Sequence, residues 1–299
     1  MCGIAGLLIK NNALRDQLGA WVSPMLDCMG DRGADSAGLA VFGDTSGPGE
    51  FRVSLFAAHS QLADWESLLA DATAGLSGTA ELVARGHHAT LQTSMDVAEL
   101  TGRIRAGAPD VLVLGVGRAM DIYKDVGHPR ELIARYALGS AWGTHAVGHT
   151  RMATESAVSV AHSHPFTAGV DFCLVHNGSL SNPYSIRRRL ERLGIAFETD
   201  NDTEAACRFI QWRTREGDSL ETAIERGFSE LDGFYTLLIG TAERLVLVRD
   251  PFACKPAVAA ETDDYVAISS EYRSLAHLPG IRQAHVFEPA PERIYSWSV

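Results

Sequence analysis

Met1-Cys2-Gly3-Ile4-Ala5-Gly6-Leu7-Leu8-Ile9 opens the chain, and its reading governs the rest. The run from Cys2 to Ile9 is apolar with two glycines, the pattern of a short buried strand in close contact with its neighbours. It has no basic segment and no cleavage site, so it predicts a first strand and not a secretory leader. Removal of Met1 is expected, because the second residue is small. Cys2 would then carry a nucleophilic thiol beside a free α-amine, whose ordinary pKa of ~7.7–8.0 lets it take the thiol proton at neutral pH.

Beyond this strand, apolar positions from Leu14 to Met29 follow a helical period, with Pro24 marking a kink or an early end. A turn-rich segment, Arg32-Gly33-Ala34-Asp35-Ser36-Ala37-Gly38, leads into a strand at Leu39–Phe42. Further strands are predicted at Phe51–Ala57, Val111–Gly117, Ala146–Thr150, Phe172–His176, Phe234–Gly240, Leu245–Arg249 and Tyr265–Ser269. Helices are predicted at Trp65–Leu76, Val97–Arg105, Pro129–Leu138, Pro183–Leu193, Asp202–Arg215 and Leu220–Leu231. Strands and helices mix without strict alternation, which indicates an α+β layered domain and not a doubly wound sheet.

Composition narrows the function. Among 299 residues, 46% are hydrophobic and 21% charged, as in ordinary globular proteins, and 26 Lys and Arg against 37 Asp and Glu give a net charge of −11. That balance argues against binding to a nucleic-acid backbone. No apolar run has the ~20 residues of a membrane-spanning helix. Five scattered cysteines with no C-x-x-C pair predict reduced thiols in the cytoplasm and no zinc or iron–sulfur site. His162-Ser163-His164 would put two imidazoles on one strand face without a third ligand, so no metal is expected. Gly115-Val116-Gly117 lacks the remainder of a dinucleotide fingerprint and reads as a strand end.

The chemistry sits in an ordered set of motifs: Cys2-Gly3-Ile4-Ala5-Gly6, Arg32-Gly33-Ala34-Asp35-Ser36, Gly148-His149-Thr150-Arg151-Met152-Ala153-Thr154, His176-Asn177-Gly178, Asp202-Thr203-Glu204 and Arg249-Asp250-Pro251 with Lys255-Pro256. The set resembles the class II glutamine amidotransferases. The resemblance covers residues 1–43 and 145–299. It implies a four-layer αββα N-terminal-nucleophile hydrolase sandwich over residues 2–299, interrupted by a structured insertion at about 44–144, read as a docking surface or a family decoration. It also implies that Cys2 attacks a glutamine side chain while Asn177 and Gly178 form the oxyanion hole. Arg151, Thr154 and Asp202 would hold the substrate, and Arg32 and Asp35 would brace the nucleophile strand.

These assignments make physical sense. Free glutamine presents a carboxylate suited to the planar fork of Arg151 and an ammonium suited to Asp202. Taken alone, Asp202 could instead cap a helix and Asn177-Gly178 could be a hairpin turn. Glu155, where several relatives carry His, and Ala253, where the Arg-Asp-Pro segment usually has Gly, depart from the family pattern. The chain looks closest to stand-alone subunits related to glutamate synthase, a group that includes the small subunit of N-methylglutamate synthase. In such assemblies ammonia passes to a separate synthase subunit, and flavin and iron–sulfur clusters lie in the partners, with no cofactor in this chain. Two other readings stand beside it: a non-catalytic subunit of such a complex, and an N-terminal-nucleophile amidohydrolase acting on another amide.

Overall fold

Gly3–Ile9 (β1) is buried at every position, so both of its faces must be covered. In the computed structural model, which describes residues 2–58, 62–153 and 157–299, alternate residues of β1 belong to different cores. Ala5, Leu7 and Ile9 pack with Val22, Met25 and Leu26 of helix α1 (Leu18–Met29). Ile4 and Leu8 point the other way, into a core shared with Val175, Leu238 and Leu247 of a second sheet. Period-two alternation thus inserts β1 between a helical layer and another sheet.

The first sheet is antiparallel and follows the order β15 (His285–Phe287), β13 (Val258–Glu261), β14 (Tyr265–Ser269), β1, β8 (His145–Arg151), β2 (Ser36–Phe42) and β7 (Met120–Val126). The second runs β16 (Ile294–Ser298), β12 (Arg244–Arg249), β11 (Gly233–Thr241), β10 (Phe172–Leu180) and β9 (Phe166–Thr167). Its far face, including Leu174, Leu237 and Val248, is covered by α5 (Pro183–Glu191), α6 (Asp202–Arg215) and α7 (Leu220–Glu230). Helix α4 (Pro129–Arg135) joins α1 on the outside of the first sheet through Leu132. The layers are therefore helix, sheet, sheet, helix, as the resemblance implied.

A third sheet, ordered β4 (Ala80–Arg85), β5 (His88–Thr93), β3 (Phe51–Ala57) and β6 (Val111–Gly117), carries α2 (Leu62–Thr73) and α3 (Val97–Gly107) on one face. Trp65, Leu69, Leu100 and Ile104 fill a core of its own with Val53, Leu55 and Leu91. The stretch 44–144 is accordingly not one unit. Only 51–117 builds the separate sheet, because Met120–Val126 pairs with all seven residues of β2 and α4 packs on α1. Asp171 fastens the junction: its Oδ1 accepts the N–H groups of Arg118, Ala119 and Met120 at 2.9–3.0 Å.

Local differences have identifiable causes. The helix expected from Leu14 begins as a 3-10 turn, Asn12–Gln17, capped by the Asn11 side chain on Ala13 N. Pro24 then lies inside α1, where burial of Val22, Met25 and Leu26 on the sheet outweighs one lost backbone bond. His162-Ser163-His164 lies in a turn and not on a strand, and among the described residues no group of three or more His, Cys, Asp or Glu side chains could hold a metal. No helix among them is long and apolar enough to cross a membrane.

Candidate active site

Cys2 lies at the end of the first sheet where β1 begins, β8 ends and β2 begins. Gly3 pairs with Thr150 and Ser36 pairs with Arg151. Continuing the alternation of Ile4 and Leu8, its side chain falls on the face turned toward the second sheet. Its Sγ is 3.9 Å from Met152 O. Its carbonyl is held from two sides: Arg32 Nε, in the turn before β2, donates to it at 2.9 Å and Asn177 Nδ2 of β10 at 3.2 Å. Arg32 is itself fixed by Glu271 at 2.5 Å, and that hydrogen bond holds the Glu271 carboxyl below its usual range.

The same alternation explains β10. Cys173 and Val175 face the first sheet, so Asn177 does too, and this brings its amide to Cys2. Phe172 and Leu174 face the helices, so His176 does, and its Nδ1 meets Thr203 Oγ1 of α6 at 3.0 Å. Asn177-Gly178 is mid-strand and not a hairpin turn. Tyr235, opposite Gly178, spends its N–H on Asp250 Oδ2 and its C=O on Asp250 N. Gly178 and Tyr235 are therefore a non-hydrogen-bonded pair, and the Gly178 N–H points away from β11. Two neighbours of the same parity confirm the direction: His176 O accepts from the His149 ring at 3.0 Å, and Leu180 N–H donates to Asp202 Oδ2 at 3.0 Å. A Cβ on Gly178 would sit 2.1 Å from Phe234 O, so no other residue fits there without a backbone shift.

Asp202 is the first helical residue of α6. The cap is Asn201, whose side chain accepts from Thr203 N, so Asp202 is spared that role. Burial would raise the Asp202 pKa, but His176, 3.7 Å away, and the N–H groups of Leu180 and Thr203 outweigh it and take it down to about 2. It is a carboxylate at any physiological pH. Arg151 is buried, and its Nη1 donates to Ala157 O at 2.9 Å. Asp35 ties down the strand end beside it, its N–H on Arg151 O at 3.1 Å and its Oδ2 taking Ala153 N–H at 2.8 Å.

These pieces enclose a cleft of about 370 Å³ lined by Cys2, Arg151, Gly178 and Asp202, with Ser181, Tyr184 and Thr203 among the remaining walls. A cation, an anion, a thiol and an inward N–H thus share one polar cavity large enough for a free amino acid. Asn177 reaches it through Cys2, while Arg32 and Asp35 stand behind. Thr154 and Glu155 lie outside the described residues. The sequence reading missed His176, Thr203 and Glu271. The first two lie inside quoted motifs, which marks the segments but not the roles of these side chains. Thr203 Oγ1 bridges His176 to the His164 ring at 2.8 Å, and His164 stacks on His149 at 3.9 Å. Burial depresses both His149, to about 3, and His164, so both rings are neutral.

Fold and cleft fit a glutamine amidotransferase of the N-terminal-nucleophile fold, the class to which comparison with known proteins assigns the chain. Residues 149–277 match the family model described as "Glutamine amidotransferase domain". The chain is 46% identical over 300 residues to the glutamine amidotransferase-like protein GlxB of Rhizobium meliloti (strain 1021), covering 99% of this chain and 98% of that protein. It is 33% identical over 313 residues to a putative glutamine amidotransferase of Methanothermobacter thermautotrophicus, covering 99% of each. The solved glutamine phosphoribosylpyrophosphate amidotransferase of B. subtilis shares the fold, with a TM-score of 0.62 at 18% identity over 99% of this chain, which spans 49% of that larger one. The chain belongs to the class II glutamine amidotransferase family.

Proposed function

We propose that the chain hydrolyses L-glutamine to L-glutamate and ammonia through a γ-glutamyl thioester on Cys2, and delivers the ammonia to a separate synthase subunit of glutamate synthase or N-methylglutamate synthase type. One observation carries the first part: Cys2, Arg151, Gly178 and Asp202 line a single cleft, with the Asn177 amide on the Cys2 carbonyl. The second part rests on the motif resemblance, and any flavin or iron–sulfur cluster would belong to the partner subunits.

Once Met1 is removed, the α-amine of Cys2 takes the thiol proton and the thiolate attacks the glutamine Cδ. Arg151 holds the α-carboxylate, and Asp202, ionised, holds the α-ammonium, which fixes the amide over the sulfur. Thr154 would add a polar contact. The oxyanion meets the Gly178 N–H and the second hydrogen of Asn177 Nδ2, whose first is spent on Cys2 O. The C–N bond breaks as the leaving nitrogen takes the proton from the α-amine, and ammonia departs. Water, deprotonated by the same amine, then cleaves the thioester to glutamate and restores the thiol.

Turnover of glutamine against butyramide, an amide without the amino-acid head, tests this reading. Glutamine is expected to be hydrolysed with a kcat/KM at least a thousandfold higher. Equal values would mean that the Arg151 and Asp202 ends of the cleft do not read the substrate.

A further inference from the structure

A second cavity, of about 150 Å³, lies where β6, β7, the 161–169 segment and α6 meet. Lys124 of β7 reaches it and is itself 4% exposed. Its Nζ has three hydrogens, and among the described residues it has one acceptor, Pro165 O at 3.3 Å, with the Phe166 ring centroid 5.2 Å away. Among the described residues no carboxylate pairs with it. The two acids on the cavity wall are engaged elsewhere. Glu204 accepts from Glu198 N, Thr199 N and Arg208, and Glu198 pairs with Arg105 at 3.1 Å. Burial brings the Lys124 amine down to about 8, so it remains mostly protonated at pH 7. A buried, under-partnered cation is costly unless an anion joins it.

Besides the charged pairs just described, the wall offers apolar surface from Leu112, Val113, Leu114, Val116 and Phe166, the last of them against Lys124 itself. A protein cavity of this volume accommodates benzene, so there is room for roughly six non-hydrogen atoms. We propose that this cavity binds a short-chain monocarboxylate, its carboxylate on Lys124 Nζ and its hydrocarbon against Leu114 and Phe166. A dianion such as phosphate fits less well, because Arg105 and Arg208 are already committed to Glu198 and Glu204. The proposal concerns a site apart from the cleft and does not depend on glutamine turnover.

Calorimetric titration at pH 7 and constant ionic strength, with propionate and with its neutral isostere propionamide, tests it. Propionate is expected to saturate a site that Lys124→Met abolishes, and propionamide to leave that site empty. Binding at Arg151 in the cleft would survive Lys124→Met, so the variant separates the two locations. Ala161→Leu fills the cavity while keeping the lysine and should weaken propionate at least tenfold, which keeps the test available should Lys124→Met not fold. No saturable propionate binding, equal binding of propionamide, or binding unchanged in these variants would overturn the proposal.

Discussion

Cys2 is positioned through its backbone. Arg32 from the turn before β2 and Asn177 from β10 hold its carbonyl, which leaves the thiol and, after Met1 removal, the amine to react. Replacing the thiol in Cys2→Ser is expected to cost most of the activity, since a hydroxyl is far less acidic and nucleophilic; a fully active variant would refute the thioester. Asn177→Ala should lower kcat by ~10²–10³, the usual cost of an oxyanion donor. Asp202→Ala should raise KM with a smaller change in kcat, and an unchanged KM would remove Asp202 from the substrate's ammonium. Because the folded pKa of Asp202 is about 2, below the unfolded ~3.9, its contribution to stability is complete above pH ~4 and is lost as pH falls toward 2. Cys2, Arg151, Gly178 and Asp202 could be read from the sequence because each belongs to a local motif. His176 and Thr203 lie in the same motifs, but their roles could not be assigned, since their partnership exists only once β10 packs on α6.

Among strands and helices, β10 carries the most information. One parity sends Asn177 to Cys2 and the next sends His176 to α6, so a one-residue slip would invert the site. The Asn-Gly dipeptide suggested a turn on local propensity, and tertiary pairing of Phe172–Leu180 with β11 along its whole length prevailed. Most principal strands and helices were readable from hydrophobic runs. β7 was hidden because Met120-Asp121-Ile122-Tyr123-Lys124-Asp125-Val126 mixes charges into a strand whose two acids meet Arg52 and Arg135 only in the tertiary structure and whose lysine has a single acceptor among the described residues, Pro165 O. β2 passes so close to the 164–165 segment that a Cβ on Gly38 would lie 2.0 Å from His164 O. Gly38→Ala should therefore lower unfolding stability by about 1–3 kcal/mol, read from the urea midpoint. A wild-type midpoint would mean that the segment yields freely.

Across the full chain, buried histidines set the acid limit. His88 is held at about 4, and His145 and His149 at about 3, all by burial, and His164 lies well below its ordinary value for the same reason. Below pH ~6.5 the unfolded chain binds protons that the folded chain refuses, so stability falls as pH drops from there toward the folded values. Each such histidine contributes up to about 1.4 kcal/mol per pH unit. The urea midpoint should drop steeply between pH 7.5 and 5.5, and a flat profile would show that these rings titrate in the folded protein. The limits of the third sheet were not legible in the sequence, because the return of the chain at Met120 to pair with Ser36–Phe42 is a long-range event that no local pattern announces.

The proposed chemistry requires Cys2 to be an N-terminal nucleophile in a glutamine-shaped cleft. Intact mass of the purified chain, before and after a diazo-ketone analogue of glutamine, tests it most directly. The expected species lacks Met1 and gains one adduct, protected by excess glutamine and lost in Cys2→Ala. A chain without Met1 that gains no adduct, or gains it equally in Cys2→Ala, would contradict it.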